Sequence, residues 1–390
     1  MEVPFVYLDH AATTSPRRVA IEAMRPWLES NFANPSGSHR AAREARRAVD
    51  EAREQIAEVL GLGSGDVVFT SCGTESDNMA IAGTIAARGG LAVCPAAEHH
   101  AVLDPVQHLD GRVVEVTADG SVDLPRLAET LRELAAGQDA VTLVSVMAVN
   151  NEVGTVTDLE AVAEVVRTEA PDAWFHTDAV QAACWLDLRP IASVVDMMSL
   201  SAHKFGGPKG MGVLTIRDGV RPAPLLLGGG QERGRRSGTT DVAGVVATAA
   251  ALVETDAERA VDVGLVRLLR DRLVDEILRK VDGAVETVPR SASVPGVAHL
   301  CFPGVENEAL LFLLDQEGIC ASAASACASG AMEPSHVLAA MGIDAVTARG
   351  ALRLSLGHTT TDADIDKAVT SVSAAVTRLL QLGAERRSSN

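Results

Sequence analysis

The chain has 390 residues, 47% apolar and 22% charged, with 33 Gly and 16 Pro; these proportions exclude disordered, collagenous and fibrous classes and leave room for two or three domains with sizeable cores. A formal charge of −18 with only 7 Phe, 3 Trp and 1 Tyr excludes direct gripping of phosphate backbones or stacking of bases. The start Met1-Glu2-Val3-Pro4 has no basic leader, and apolar runs such as 242–253 fall short of the roughly 18 residues that span a bilayer, so no membrane contact and a cytoplasmic location are expected.

In chain order, a helix is expected over 38–60, where Arg and Glu recur at i,i+4 spacing on a solvated face. An apolar strand at 67–70 then runs through Ser71-Cys72-Gly73-Thr74-Glu75-Ser76 into a helix reaching about Arg88. The free N–H groups and positive dipole of that helix start suit a phosphate. Neither a Walker pattern nor G-x-G-x-x-G is present, which counts against nucleotide binding. Glu98-His99-His100-Ala101-Val102 follows an apolar segment and offers an imidazole to lie over a flat cofactor, or packing filler. Adjacent histidines on a strand face opposite ways, so they make a poor metal pair, and no metal site is expected.

The strand expected over 141–149 ends in Asn150-Asn151-Glu152-Val153-Gly154, whose amides suit either a substrate carboxylate or a turn. The next strand, 174–177, ends in Asp178. A carboxylate at the C-terminal end of a parallel strand faces the crevice where α/β folds bind ligands; the competing role is a helix N-cap. A strand over 194–200 leads into Ser201-Ala202-His203-Lys204 and a Gly-rich turn, with a further strand at 213–216. Only four lysines occur, Lys204, Lys209, Lys280 and Lys367. Where Lys persists against so much Arg, an amine can be the requirement at Lys204, since an amine forms a Schiff base and a guanidinium cannot; the competing role is a surface lysine in a loop. Alternating strands and helices imply an α/β class with a mainly parallel sheet. Beyond 252 a long helix over 262–281, strands near 297–302, a helix over 308–317 and a terminal helix over 363–382 read as a smaller α+β domain.

Six cysteines, Cys72, Cys94, Cys184, Cys301, Cys320 and Cys327, show no C-x-x-C spacing, and a disulfide framework is not expected in an intracellular chain of this length.

Together the segments resemble the cysteine desulfurases, enzymes of the class V aminotransferase group that use pyridoxal phosphate (PLP). The resemblance rests on ten motifs in order, among them Tyr7-Leu8-Asp9-His10-Ala11-Ala12, Thr74-Glu75-Ser76-Asp77-Asn78, Asp178-Ala179-Val180-Gln181, Ser201-Ala202-His203-Lys204, Gly230-Gln231-Glu232-Arg233, Arg236-Ser237-Gly238-Thr239 and Arg353-Leu354-Ser355. It implies the type I PLP-dependent transferase fold, with a large domain over 14–252 on a mainly parallel seven-stranded sheet. A small α+β domain would comprise 1–13 and 253–390 and carry the catalytic cysteine.

By this resemblance Lys204 would bond the cofactor aldehyde, Asp178 would pair with the pyridine nitrogen, His99 would stack on the ring and Gln181 would bond its phenolic oxygen. Gly73, Thr74, Ser201 and His203 would hold the phosphate, with Thr239 supplied by the second subunit of a homodimer. Asn151 and Arg353 would hold the substrate carboxylate. Cys327 would be the nucleophile in the long-segment branch, taking sulfur from L-cysteine as a persulfide and passing it to an acceptor protein. Lys204 would carry the proton, assisted by His99. Iron–sulfur assembly, tRNA thiolation and DNA phosphorothioation are the pathways such donors serve. Two positions depart from the family pattern: Ala324, where Gly is usual, implies a stiffer approach of the Cys327 segment, and Ala202 also replaces a common Gly. A selenocysteine lyase or another class V enzyme is the nearest alternative, and a partner-dependent sulfur-delivery scaffold is an alternative of a different kind.

Overall fold

A computed structural model of the chain describes residues 5–137, 140–323 and 335–388. Cys327 and Ala324 lie outside the described residues.

The central sheet has seven strands in the order Val67–Thr70, Gly212–Ile216, Met197–Ser201, Trp174–Asp178, Val141–Ser145, Leu91–Pro95 and Arg112–Val114. Gly212–Ile216 runs antiparallel to both neighbours and the remaining pairs are parallel. The inner strands are buried on both faces, which is why they read as continuous apolar runs rather than as alternating ones. Their side chains alternate between two cores. Val67, Phe69, Met198 and Leu200 face one core, whereas Val68, Met197, Leu214 and Ile216 face the other with Met79 and Ile81.

A second sheet of three antiparallel strands, Ala351–Ser355, Val297–Cys301 and Val285–Glu286, has its own core of Leu273, Ile277, Leu310, Leu354 and Val372. The N-terminal strand Val6–Tyr7 pairs with Ile319–Cys320, so Val6 and Leu8 belong to this second core.

Three elements differ from expectation. The separate helix over 262–281 is the latter part of one 39-residue helix, Val242–Lys280, which spans both cores. Its acidic middle lacks apolar periodicity but contains no Pro to break it. Glu254, Glu258 and Asp262 instead converge on the buried Arg17 guanidinium. The strand expected over 141–149 ends at Ser145. Beyond it the Met147 N–H leaves the sheet for the Glu98 carboxylate, at 2.6 Å. Residue 194 ends a short helix, Leu188–Val194, that Asp187 caps, so the strand there begins only at Met197. No helix among the described residues is long and apolar enough to cross a membrane.

Candidate active site

Trp174–Asp178 and Met197–Ser201 are parallel neighbours, so Asp178 and Ser201 end at the same edge of the sheet. Here, at the C-terminal ends of the strands, lies a cavity of about 350 Å³. Its wall contains ten residues expected from sequence: Gly73, Thr74, His99, Asn151, Asp178, Gln181, Ser201, His203, Lys204 and Arg353.

Gly73 opens the helix Gly73–Arg88, and its N-cap Cys72 provides no side-chain cap, so the first-turn N–H groups face the cavity side uncapped. A Cβ added at Gly73 would lie 2.7 Å from Val180 Cγ2; only glycine lets the backbone approach this closely. The Ser201 hydroxyl and His203 Nδ1 beside it are buried without a partner. Burial lowers the His203 pKa to about 4, leaving a neutral ring. The methyl group of Ala202, where glycine was the common residue, is accommodated by Gly207, at which a Cβ would sit 2.8 Å from it.

Lys204 Nζ donates to the carbonyls of Ala11 at 2.5 Å and Ala12 at 3.0 Å. Burial, with the Arg353 charge nearby, brings its pKa down to about 8 against the opposing pull of Asp178 and Asp9. An amine in this range is nucleophilic near neutral pH. Gln181 Nε2 shares the Ala11 carbonyl, at 2.8 Å. Asp178 accepts the Val180 N–H at 2.8 Å. Burial raises its pKa, while His99, that N–H and Lys204 favour its charged form.

His99 caps the helix His100–His108, its Nδ1 accepting the Ala101 N–H at 3.0 Å. That bond makes Nδ1 the acceptor, and burial lowers the ring's pKa, so a neutral imidazole presents Nε2–H. Arg353 donates to the Asn151 carbonyl at 2.7 Å and to Asp9 Oδ1 at 2.8 Å. Its Nε and Asn151 Oδ1 are buried without partners, leaving a charged donor and an amide free for a ligand.

Two expected residues are not in this wall. Thr239 is exposed and lines a separate groove with Ser71, Gly210 and Arg236. Cys327 is outside the described residues. Ser335, the first residue described after Ala323, donates its hydroxyl to Glu152 at 2.5 Å and is followed by His336, bonded to the Glu98 carbonyl at 2.9 Å and packed on His100.

Asp77 and Glu98 were not singled out from sequence, although both stand inside motifs quoted above. Asp77 lines the cavity, and both side chains are buried with one oxygen unpartnered. Asp77 is four residues from Gly73, one helical turn along the same face, and that spacing was the available signal. Among the described residues no group of three or more His, Cys, Asp or Glu could hold a metal ion.

An amine, a carboxylate one strand away, a neutral imidazole, an uncapped helix start beside a free hydroxyl, and a free arginine nitrogen suit a phosphorylated aromatic aldehyde and an amino acid carboxylate. The donor set fits PLP. The class-V aminotransferase model matches residues 6–368. The chain is 46% identical to an IscS-like cysteine desulfurase of Mycobacterium tuberculosis, covering 95% of this chain and 96% of that protein. A solved NifS-like protein superposes with a TM-score of 0.88 at 34% identity, covering 96% of this chain and all of that one. A structure described as SspA in complex with cysteine gives 0.78 at 30% identity, covering 91% and 99%. The chain therefore belongs to the cysteine desulfurase family of the class-V aminotransferases, whose members are PLP-dependent enzymes.

Proposed function

We propose that the chain converts L-cysteine to L-alanine, leaving the sulfur as a persulfide on Cys327 for transfer to an acceptor protein. The observation that carries this reading is the convergence of Lys204, Asp178, His99, Asn151 and Arg353 on one cavity. PLP, when bound, supplies an electron sink that makes the substrate Cα proton acidic. In this reading Gly73, Thr74, Ser201 and His203 hold its phosphate, Lys204 its aldehyde carbon, Asp178 its ring nitrogen and Gln181 its phenolic oxygen, with His99 on the ring face. Arg353 and Asn151 orient the substrate carboxylate, and the freed Lys204 amine, with its lowered pKa, takes the Cα proton at Nζ, assisted by His99. The Cys327 thiolate would attack the substrate sulfur; the S–S bond forms as the C–S bond breaks, and that bond's electron pair leaves with the substrate carbon, which is protonated to give L-alanine.

The same reading assigns cofactor binding to a large domain over 14–252 and the cysteine segment to a small domain formed by 1–13 and 253–390. It makes the enzyme a cytoplasmic homodimer in which each Thr239 completes the phosphate site of the other subunit. The exposed position of Thr239, outside its own chain's cavity, supports this, as do the exposed Leu225, Leu226 and Leu227 of the adjoining loop. The acceptor serves iron–sulfur assembly, tRNA thiolation or DNA phosphorothioation.

The test is L-alanine and sulfide release from L-cysteine with a reducing thiol, for the wild-type chain and Cys327→Ala. Release by wild type alone is expected. Undiminished release by the variant would remove Cys327 from the chemistry, and a PLP-loaded wild-type chain that turns over only after a partner protein is added would favour the delivery scaffold.

A further inference from the structure

The loop that carries Thr239 is held at two points by ion pairs that the reaction outlined above leaves unused. Its backbone does not favour its own conformation. Glu232 and Arg233 have φ of 48° and 59°, in the left-handed region that costs an L residue energy, so contacts from other segments must fix them. One such contact is the bidentate pair of Glu232 with Arg53, at 2.8 Å for both bonds; the same carboxylate accepts the Phe69 N–H at 3.0 Å. The other is Arg236, whose Nε and Nη2 lie 2.8 and 3.3 Å from the two oxygens of Glu75. Glu75 Oε2 also accepts the Ser71 N–H at 2.7 Å. Burial by itself would raise the Glu75 pKa, but the bonds from Arg236 and Ser71 outweigh it and bring the value down, so the pair is ionic. It is largely covered, with Arg236 at 20% and Glu75 at 14% exposure.

Both anchors grip one segment. Phe69 belongs to the strand Val67–Thr70, Ser71 to the turn after it, and Glu75 to the first turn of the helix that Gly73 opens. Gly73 and Thr74 of this segment line the chain's own cavity. Thr239, three residues after Arg236, lies in the separate groove that Ser71 and Arg236 also line. Between them the chain has little freedom: the Ser237 N–H donates to the Leu226 carbonyl at 3.1 Å and the Gly238 N–H to Gln231 Oε1 at 2.9 Å. Placing Arg236 therefore places Thr239.

We propose that Glu75 and Arg236 are positioning residues, an ion pair that aims Thr239 at the cofactor phosphate of the other subunit and so ties each subunit's phosphate-binding turn to its neighbour's site. The inference rests on the proposed homodimer with a shared phosphate site.

The test uses holoenzyme heterodimers of two differently tagged chains, one of them carrying Lys204→Ala, so that a single site binds the cofactor through lysine. Glu75→Gln with Arg236→Met removes the pair without leaving a lone charge. In the first arrangement the pair-deleted chain also carries Lys204→Ala, so the lysine site takes its Thr239 from the pair-deleted chain. In the second, the lysine site belongs to the pair-deleted chain and takes Thr239 from a chain with the pair intact. Both heterodimers contain the same substitutions, so a general loss of stability is common to them. Apparent Kd for PLP, read from the visible absorbance of the lysine-bound cofactor, should rise about tenfold in the first arrangement, the scale of one charged hydrogen bond. In the second it should match a heterodimer carrying Lys204→Ala alone. Equal values in the two arrangements, or a loss confined to the second, would overturn the proposal. Arg236→Lys, a milder change, should give a smaller difference in the same direction, and its absence would overturn the proposal where the paired deletion folds poorly. Thr239→Val in the same two arrangements judges the shared site itself. An arrangement effect for Thr239→Val without one for the pair refutes only the pair. No effect for either, or a chain that sediments as a monomer, refutes the shared site and the proposal with it.

Discussion

Replacing Glu152 by Gln should make the enzyme more stable at alkaline pH while leaving it nearly unchanged in mild acid. Glu152 is buried beside Asn151, and burial raises its pKa from 4.5 to about 7 despite the Ser335 hydroxyl and the Arg353 charge, which pull the other way. The folded state therefore holds a proton that the unfolded chain releases. The resulting contribution is fully present below the unfolded value of 4.5 and is lost as pH rises through about 7. At about 1.4 kcal/mol per unit the loss amounts to about 3 kcal/mol.

Gln mimics the protonated acid and its amide oxygen still accepts from Ser335, so the variant escapes that loss. Urea unfolding at about pH 5 should separate the two proteins by less than about 1 kcal/mol; at about pH 8.5 Glu152→Gln should be more stable by about 3 kcal/mol. A variant less stable than wild type at the higher pH would refute the reasoning. It would mean that Glu152 is ionised and paired with Arg353, and that the substrate-facing guanidinium is partly neutralised before any carboxylate arrives.

Glu232→Ala should destabilise the fold by about 3 kcal/mol, because Arg53 would be left as a buried, unpaired charge. The pair is bidentate at 2.8 Å for both contacts, and Glu232 also accepts the Phe69 N–H. Urea midpoints should show Arg53→Met with Glu232→Leu losing less than Glu232→Ala alone; a larger loss in the double variant would contradict this account. Asp9→Asn removes the ionic partner of Arg353 Nη2 and, given the proposed substrate site, should raise KM for L-cysteine roughly tenfold with a smaller change in kcat, the scale of one charged hydrogen bond. Steady-state kinetics that show kcat falling with KM unchanged would place Asp9 in the chemistry instead of in binding.

Much of the site was legible because its residues sit at positions that local pattern marks. Asp178 and Lys204 follow apolar strands, and Gly73 stands where a strand turns into a helix. Parallel strands deliver such ends to one edge, so a linear reading of strand termini finds them. Elements went astray where side chains from distant segments decided the backbone. The 39-residue helix stays continuous through a polar middle anchored by Arg17, more than 230 residues earlier in the chain. The 141–149 strand stops early because Glu98 captures an N–H from it.

Sequence by itself determined the fold class and the inventory of reactive groups, since strand period and helix starts are properties of neighbouring residues, and its ordered motifs carry the resemblance to the family. Only the tertiary structure decided the protonation of those groups and their company. Glu75 and Arg236 stand 161 residues apart, and no spacing along the chain records that packing brings them together. A carboxyl group's charge depends on the water removed around it and on the charges left beside it, and both are set by packing between segments remote in sequence.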